Sequence, residues 1–92
     1  MHIVLVYDVV SDSRRRRLHQ RLQRYLVPVQ YSVFEGPVNI TLLDTIERLV
    51  HRELDLEVDD VRIYQLCQGC VGRVRHHGVA IPVADPDIPV VV

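Results

Sequence analysis

Lysine is absent from this 92-residue chain: all eleven basic residues are arginine, set against twelve acids for a formal net charge of -1. A planar guanidinium favours bidentate contacts to phosphate, although a GC-rich or thermophilic genome gives the same bias without functional content. No run approaches the ~18 apolar residues that a membrane span requires, and no membrane partner is expected. Met1 to Val6 is directly a strand pattern without a basic leader, so no signal peptide is expected and the chain is placed in the cytoplasm. Cysteine is nearly absent as well. Cys67 and Cys70 are the only two, too close together to staple a fold and too few for a secreted disulfide scaffold.

The chain has the length of one domain with a single two-layer core, and 48% apolar with 25% charged residues is ordinary for a globular protein. The near-zero net charge hides an uneven distribution. Arg14, Arg15, Arg16, Arg17, Arg21 and Arg24 fall within eleven positions, whereas most acids lie between Asp44 and Asp60 or near the C-terminus. The surface should be electrically two-sided.

His2 to Tyr7 is a β-branched apolar run that reads as a central strand, stopped by Asp8. Ser11, Asp12 and Ser13 offer N-cap oxygens, and Leu18, Leu22, Tyr25 and Leu26 share one face of a helix expected from Ser13 to Leu26. Pro28 breaks it. Val29 to Glu35 alternates as one long strand closed by the turn pair Gly36-Pro37, with a short strand at Pro37 to Ile40 able to join it. Asn39 or Thr41 caps a second helix carrying Leu42, Leu43, Ile46, Leu49, Val50 and Leu54, with Asp44, Glu47, Arg48, His51 and Arg52 outward. Asp59-Asp60 reads as a turn, Val61 to Cys67 as a strand, Gly69, Gly72 and Gly78 as a loop, and Val79 to Val83 as a last short strand.

The order is β-α-β-β-α-β, the α+β ferredoxin-like arrangement with two helices on one face of an antiparallel sheet, expected over residues 1–83 with a tail at 84–92. The first strand is apolar on both alternating sets, Ile3, Leu5, Tyr7 and Val4, Val6. The uncovered sheet face therefore predicts a symmetric homodimer, and Ile88 to Val92 could add an edge strand to the same or the partner subunit.

Asp8, held rigidly at the end of a buried strand, could anchor a hard cation such as Mg²⁺, while a carboxylate between strand and helix also serves as a turn or cap. If the first strand lies near a dimer axis, two copies of Asp8 could meet. Carboxylates ~4 Å apart repel by about 4 kcal/mol at an effective dielectric of ~20, which a divalent cation would relieve. Metal-assisted phosphodiester hydrolysis is the chemistry that follows, with Asp12, Glu35 or a histidine as candidates for ordering water. Arg14, Arg17, Arg21 and Arg24 form one line with no acid in it, either a solvated face or a phosphate-binding row. Gln30 and Ser32 could bond phosphate near the metal or simply form a polar sheet edge. Cys67, Cys70, His76 and His77 lie within eleven residues but lack zinc-ribbon spacing. A redox role is disfavoured because the pair ends a strand rather than opening a helix, so a glycine turn with a basic loop is the preferred reading.

Three segments carry a resemblance: Val6-Tyr7-Asp8-Val9, Leu22-Gln23-Arg24-Tyr25 and above all Val29-Gln30-Tyr31-Ser32-Val33-Phe34-Glu35-Gly36. They resemble the CRISPR-associated endonuclease two (Cas-two) family, the small subunit of the spacer-acquisition machinery. The resemblance implies a ferredoxin-like homodimer, a Mg²⁺ shared by two Asp8 carboxylates, and metal-dependent cleavage of RNA or double-stranded DNA; in the enzyme reading of the residues, Ser32 and the arginines orient the strand. It also implies assembly with the larger CRISPR integrase subunit in antiviral defence. A non-catalytic dimeric DNA-binding adaptor for that integrase is the alternative.

Overall fold

The computed structural model describes residues 1–78, so the strand expected at 79–83 and the tail at 84–92 lie outside the described residues. Strand β1 (His2–Asp8) leads into helix α1 (Asp12–Leu22), followed by β2 (Val27–Gln30), β3 (Val33–Pro37), α2 (Ile40–Glu53), β4 (Asp60–Leu66) and a short helix α3 (Gln68–Val71). The strands are ordered β2-β3-β1-β4 with every neighbour antiparallel. Each long helix thus connects two strands separated by a third, which is the ferredoxin-like topology. Among the described residues no helix is long and apolar enough to cross a membrane.

Alternation along β1 sends Ile3, Leu5 and Tyr7 beneath the helices, where Leu18 and Leu22 of α1, Phe34 of β3 and Leu43, Ile46, Leu49 and Val50 of α2 close the core. Phe34, Ile3, Leu5, Leu18, Leu22 and Ile46 are fully buried. Burying each such side chain stabilises by ~1.5–3 kcal/mol. Ser11 caps α1 by accepting from Arg14 N–H, and Asn39 caps α2 through Leu42 N–H. Val4 and Val6 fall on the opposite, helix-free face.

Three local expectations change. Helix α1 ends at Leu22 rather than Leu26, because Arg24 and Tyr25 donate to carbonyls only three residues back, tightening the chain into a turn before Pro28. The segment expected as one strand from Val29 to Glu35 is a hairpin. Tyr31 and Ser32 form its turn, and Ser32 adopts φ 66°, a conformation usually left to glycine. Gly36-Pro37 is not a turn but the end of β3, where Gly36 lets β3 approach Leu26. A Cβ at Gly36 would stand 3.0 Å from the Leu26 side chain.

Candidate functional site

Asp8 is the last residue of β1 and is exposed, its side chain on the helix-free face with Val4 and Val6. Its cross-strand partner is Asp60, the first residue of β4. Residues so opposed hold their Cβ atoms ~4.5–5.5 Å apart, and like charges there are destabilising. Among the described residues nothing donates to the Asp8 carboxylate, while Asp60 has only the Arg62 guanidinium, 3.7 Å away. This donor set suits a hard cation. Mg²⁺ binds through one or two carboxylates and keeps several waters. Among the described residues no three His, Cys, Asp or Glu side chains converge on one point.

Ser32 reaches the same end of the sheet, its carbonyl accepting from Tyr7 N–H at 3.1 Å. Its side chain nevertheless lines a different space. A cleft of about 290 Å³ on the helix side is bounded by Tyr7, Arg15, Arg16, His19, Tyr31 and Ser32, and Asp8 does not line it. The Tyr7 hydroxyl stands 3.3 Å from His19 Nδ1, and the His19 ring meets Phe34 edge-on at 5.0 Å. Burial pushes the Tyr7 phenol pKa up, partly offset by hydrogen bonding to Ser32. Tyr31 is 89% exposed at the hairpin tip, an aromatic face beside two guanidinium groups. Gln30 is exposed at the end of β2 in the same turn.

The arginine line does find acids, supplied by other elements. Arg14 grips Asp59 with two bonds, Nε to Oδ2 at 2.9 Å and Nη2 to Oδ1 at 3.1 Å. Asp59 is buried and also accepts the backbone N–H groups of Val10 and Asp55, each at 3.0 Å. The Arg14 guanidinium, helped by these amides and opposed by desolvation, holds the Asp59 carboxyl at a pKa of about 2. Arg15 bonds the Val9 carbonyl at 3.0 Å and pairs with Asp12. Arg17 and Arg21 share Glu53 of α2. Arg16 and Arg24 have no ion-pair partner among the described residues.

A second, basic groove lies between the helices, about 500 Å³, bounded by Arg21, Arg24, Arg48, Arg52 and Tyr25. Asp44 pairs with Arg48 at 2.9 Å, and Glu53 serves Arg52 at 3.3 Å besides Arg17 and Arg21. Among the described residues, cations therefore exceed acids in this groove. Arg48 and Arg52 had been assigned only to an outer helix face, although their i, i+4 spacing puts both on one line facing α1. Asp60, expected in a turn, opens β4. Strand register, not local pattern, sets it opposite Asp8.

Comparison with known proteins agrees with this architecture. A family model described as CRISPR associated protein Cas2 matches residues 1–74. The chain is 35% identical over 86 residues to a CRISPR-associated endoribonuclease Cas2 of Methanospirillum hungatei, covering 89% of this chain and 91% of that protein. Its fold is similar to the crystal structure of Streptococcus pyogenes Cas2, with TM-score 0.74 and 28% identity over 85% of this chain and all of that one. It is also similar to a chain of a partial Cas6-RT-Cas1–Cas2 complex, with TM-score 0.65 and 25% identity over 99% of this chain and 96% of that one.

Proposed function

The chain belongs to the CRISPR-associated Cas2 family, and from that membership we propose a cytoplasmic nuclease that acts in spacer acquisition during antiviral defence. Two copies pair through their helix-free sheet faces and hold Mg²⁺ between their Asp8 carboxylates. The substrate is RNA or double-stranded DNA. The observation that carries this reading is the exposed Asp8 carboxylate at a strand end, opposed by Asp60 and without a donor among the described residues.

The pairing face supports a dimer. Val4, Val6, Val33 and Leu66 are half-buried there, and Tyr64 is 49% exposed. Among the described residues, His2 Nε2 and Glu35 Oε2, buried on this face 3.8 Å apart, find no hydrogen-bond partner. An apolar sheet face of this kind gains by meeting another.

When bound, Mg²⁺ supplies Lewis-acid stabilisation of the charge that grows on the phosphorus oxygens. Asp8 and Asp60 anchor the ion and offer acceptor oxygens to order water. Arg16, beside Ser32 and the exposed Tyr31 ring, receives phosphate and base on the helix side of the same sheet end. Ser32 and Gln30 orient the strand by hydrogen bonding.

A second reading, an adaptor that holds duplex DNA for the larger integrase subunit, is favoured by the groove of Arg21, Arg24, Arg48 and Arg52. It lies on the helix face, away from Asp8, so holding and hydrolysis need not share residues. The solved relative that sits with Cas1 supports that partner. Cleavage of RNA and duplex DNA, compared between wild type and Asp8→Asn with Mg²⁺ or with chelator, tests the nuclease. Loss of cleavage with retained binding is expected. Undiminished cleavage by Asp8→Asn, or by wild type in chelator, removes it.

A further inference from the structure

Cys67 and Cys70 take no part in the chemistry above, and the structure changes how they read. The pair does open a helix: Cys67 is the N-cap of α3, and its Sγ accepts the Cys70 N–H at 3.3 Å. Both side chains are exposed, and the two sulfurs stand 3.2 Å apart. A disulfide needs ~2.05 Å between sulfurs, so a further approach of about 1.2 Å suffices, which side-chain torsions within one turn can supply. Every residue from Cys67 to Gly78 is exposed except the half-buried Val71. Closing a bond here would leave the core untouched.

We propose that Cys67 and Cys70 form a redox-active dithiol that exchanges with low-molecular-weight disulfides such as oxidised glutathione, cycling between two thiols and one intramolecular disulfide. The Cys67 thiolate attacks one sulfur of oxidised glutathione, whose S–S bond breaks. One glutathione thiolate leaves and takes a proton from solvent. Cys70 then gives its proton to solvent and attacks Cys67 Sγ, expelling the second glutathione, so that two electrons and two hydrogens pass to the oxidant.

The two thiols are unequal in the sense this order requires. Hydrogen bonding from Cys70, first its thiol and then its backbone N–H, draws the Cys67 thiol pKa down, whereas the same contact and the charge on Cys67 push Cys70 up. Cys67 is the attacking sulfur and Cys70 the resolving one. The bond would rigidify the turn directly behind Leu66, the last residue of β4, and so fix the exit of the segment bearing Arg73, Arg75, His76 and His77.

The test equilibrates the full chain in glutathione buffers of graded ratio, quenches with acid and weighs the protein. A single transition to a species lacking two hydrogens is expected. Cys70→Ser should instead accumulate a glutathione adduct on Cys67, because the resolving thiol is gone. Iodoacetamide should label Cys67 faster than Cys70 near neutral pH, as the opposite directions of their pKa shifts require. The proposal is overturned if the wild type keeps both hydrogens in oxidised glutathione alone, carries stable adducts on both cysteines, or labels the two at equal rates.

Discussion

The two ends of α1 carry the same residue type and do different work. At the N-terminal end, Arg14 closes a bidentate pair on a buried carboxylate and Arg15 is tied to Asp12 and the Val9 carbonyl. At the C-terminal end, Arg21 and Arg24 meet Arg48 and Arg52 across a groove whose acids do not balance them. The charge of Arg14 and Arg15 is consumed by the fold, whereas Arg16 and, across the groove, Arg24 keep theirs for a partner. A count of arginines cannot separate these cases; the position of acids in three dimensions does.

The largest effect should come from cutting the consumed end. Asp59→Ala leaves Arg14 without its carboxylate and two backbone N–H groups without acceptors, which should cost ~3–5 kcal/mol. At ~4–8 °C per kcal/mol in a domain of this size, thermal denaturation should show Tm falling by more than about 12 °C. A change within a degree or two would mean that the pair is a surface contact.

Acid should reveal the same pair. Asp59 titrates at about 2 in the folded chain, below the ~3.9 of an unfolded aspartate. The pair's contribution is therefore fully present above pH ~4 and is lost as pH falls through about 2. Denaturant unfolding between these values should show a steeper loss in wild type than in Asp59→Asn, which lacks this carboxyl.

The groove end should respond in the opposite manner, with small stability changes and a binding defect. Arg24→Gln or Arg48→Gln should leave Tm nearly unchanged and weaken duplex binding. Each should make the slope of log affinity against log salt less negative by ~0.9 per lost phosphate contact. Arg14→Gln should destabilise the fold and leave that slope alone. Equal slopes for all three variants would erase the distinction between the two ends.

What was legible in the sequence follows the range of the forces involved. Strand β1 announces itself through an unbroken β-branched run, and α2 through Leu43, Ile46, Leu49 and Val50 at helical spacing, because burial imposes a local period. The hairpin was hidden because Tyr31-Ser32 lacks the glycine or asparagine that commonly marks such a turn, and Ser32 takes the positive φ itself. The Arg14–Asp59 pair, the shared Glu53 and the Asp8–Asp60 register join residues far apart in the chain, so no window shows them. Helix α3 is too short for a period, which is why Cys67 read as the end of a strand. Asp8 was found from its place at a strand end and from the resemblance that the hairpin segment carries, not from any ligand spacing.

The central claim is a metal shared between two copies of Asp8, and calorimetric titration of Mg²⁺ into the full chain tests it most directly. One ion per two chains, with binding abolished in Asp8→Asn, is the predicted result. One ion per chain would place the metal between Asp8 and Asp60 of a single subunit and contradict the shared site.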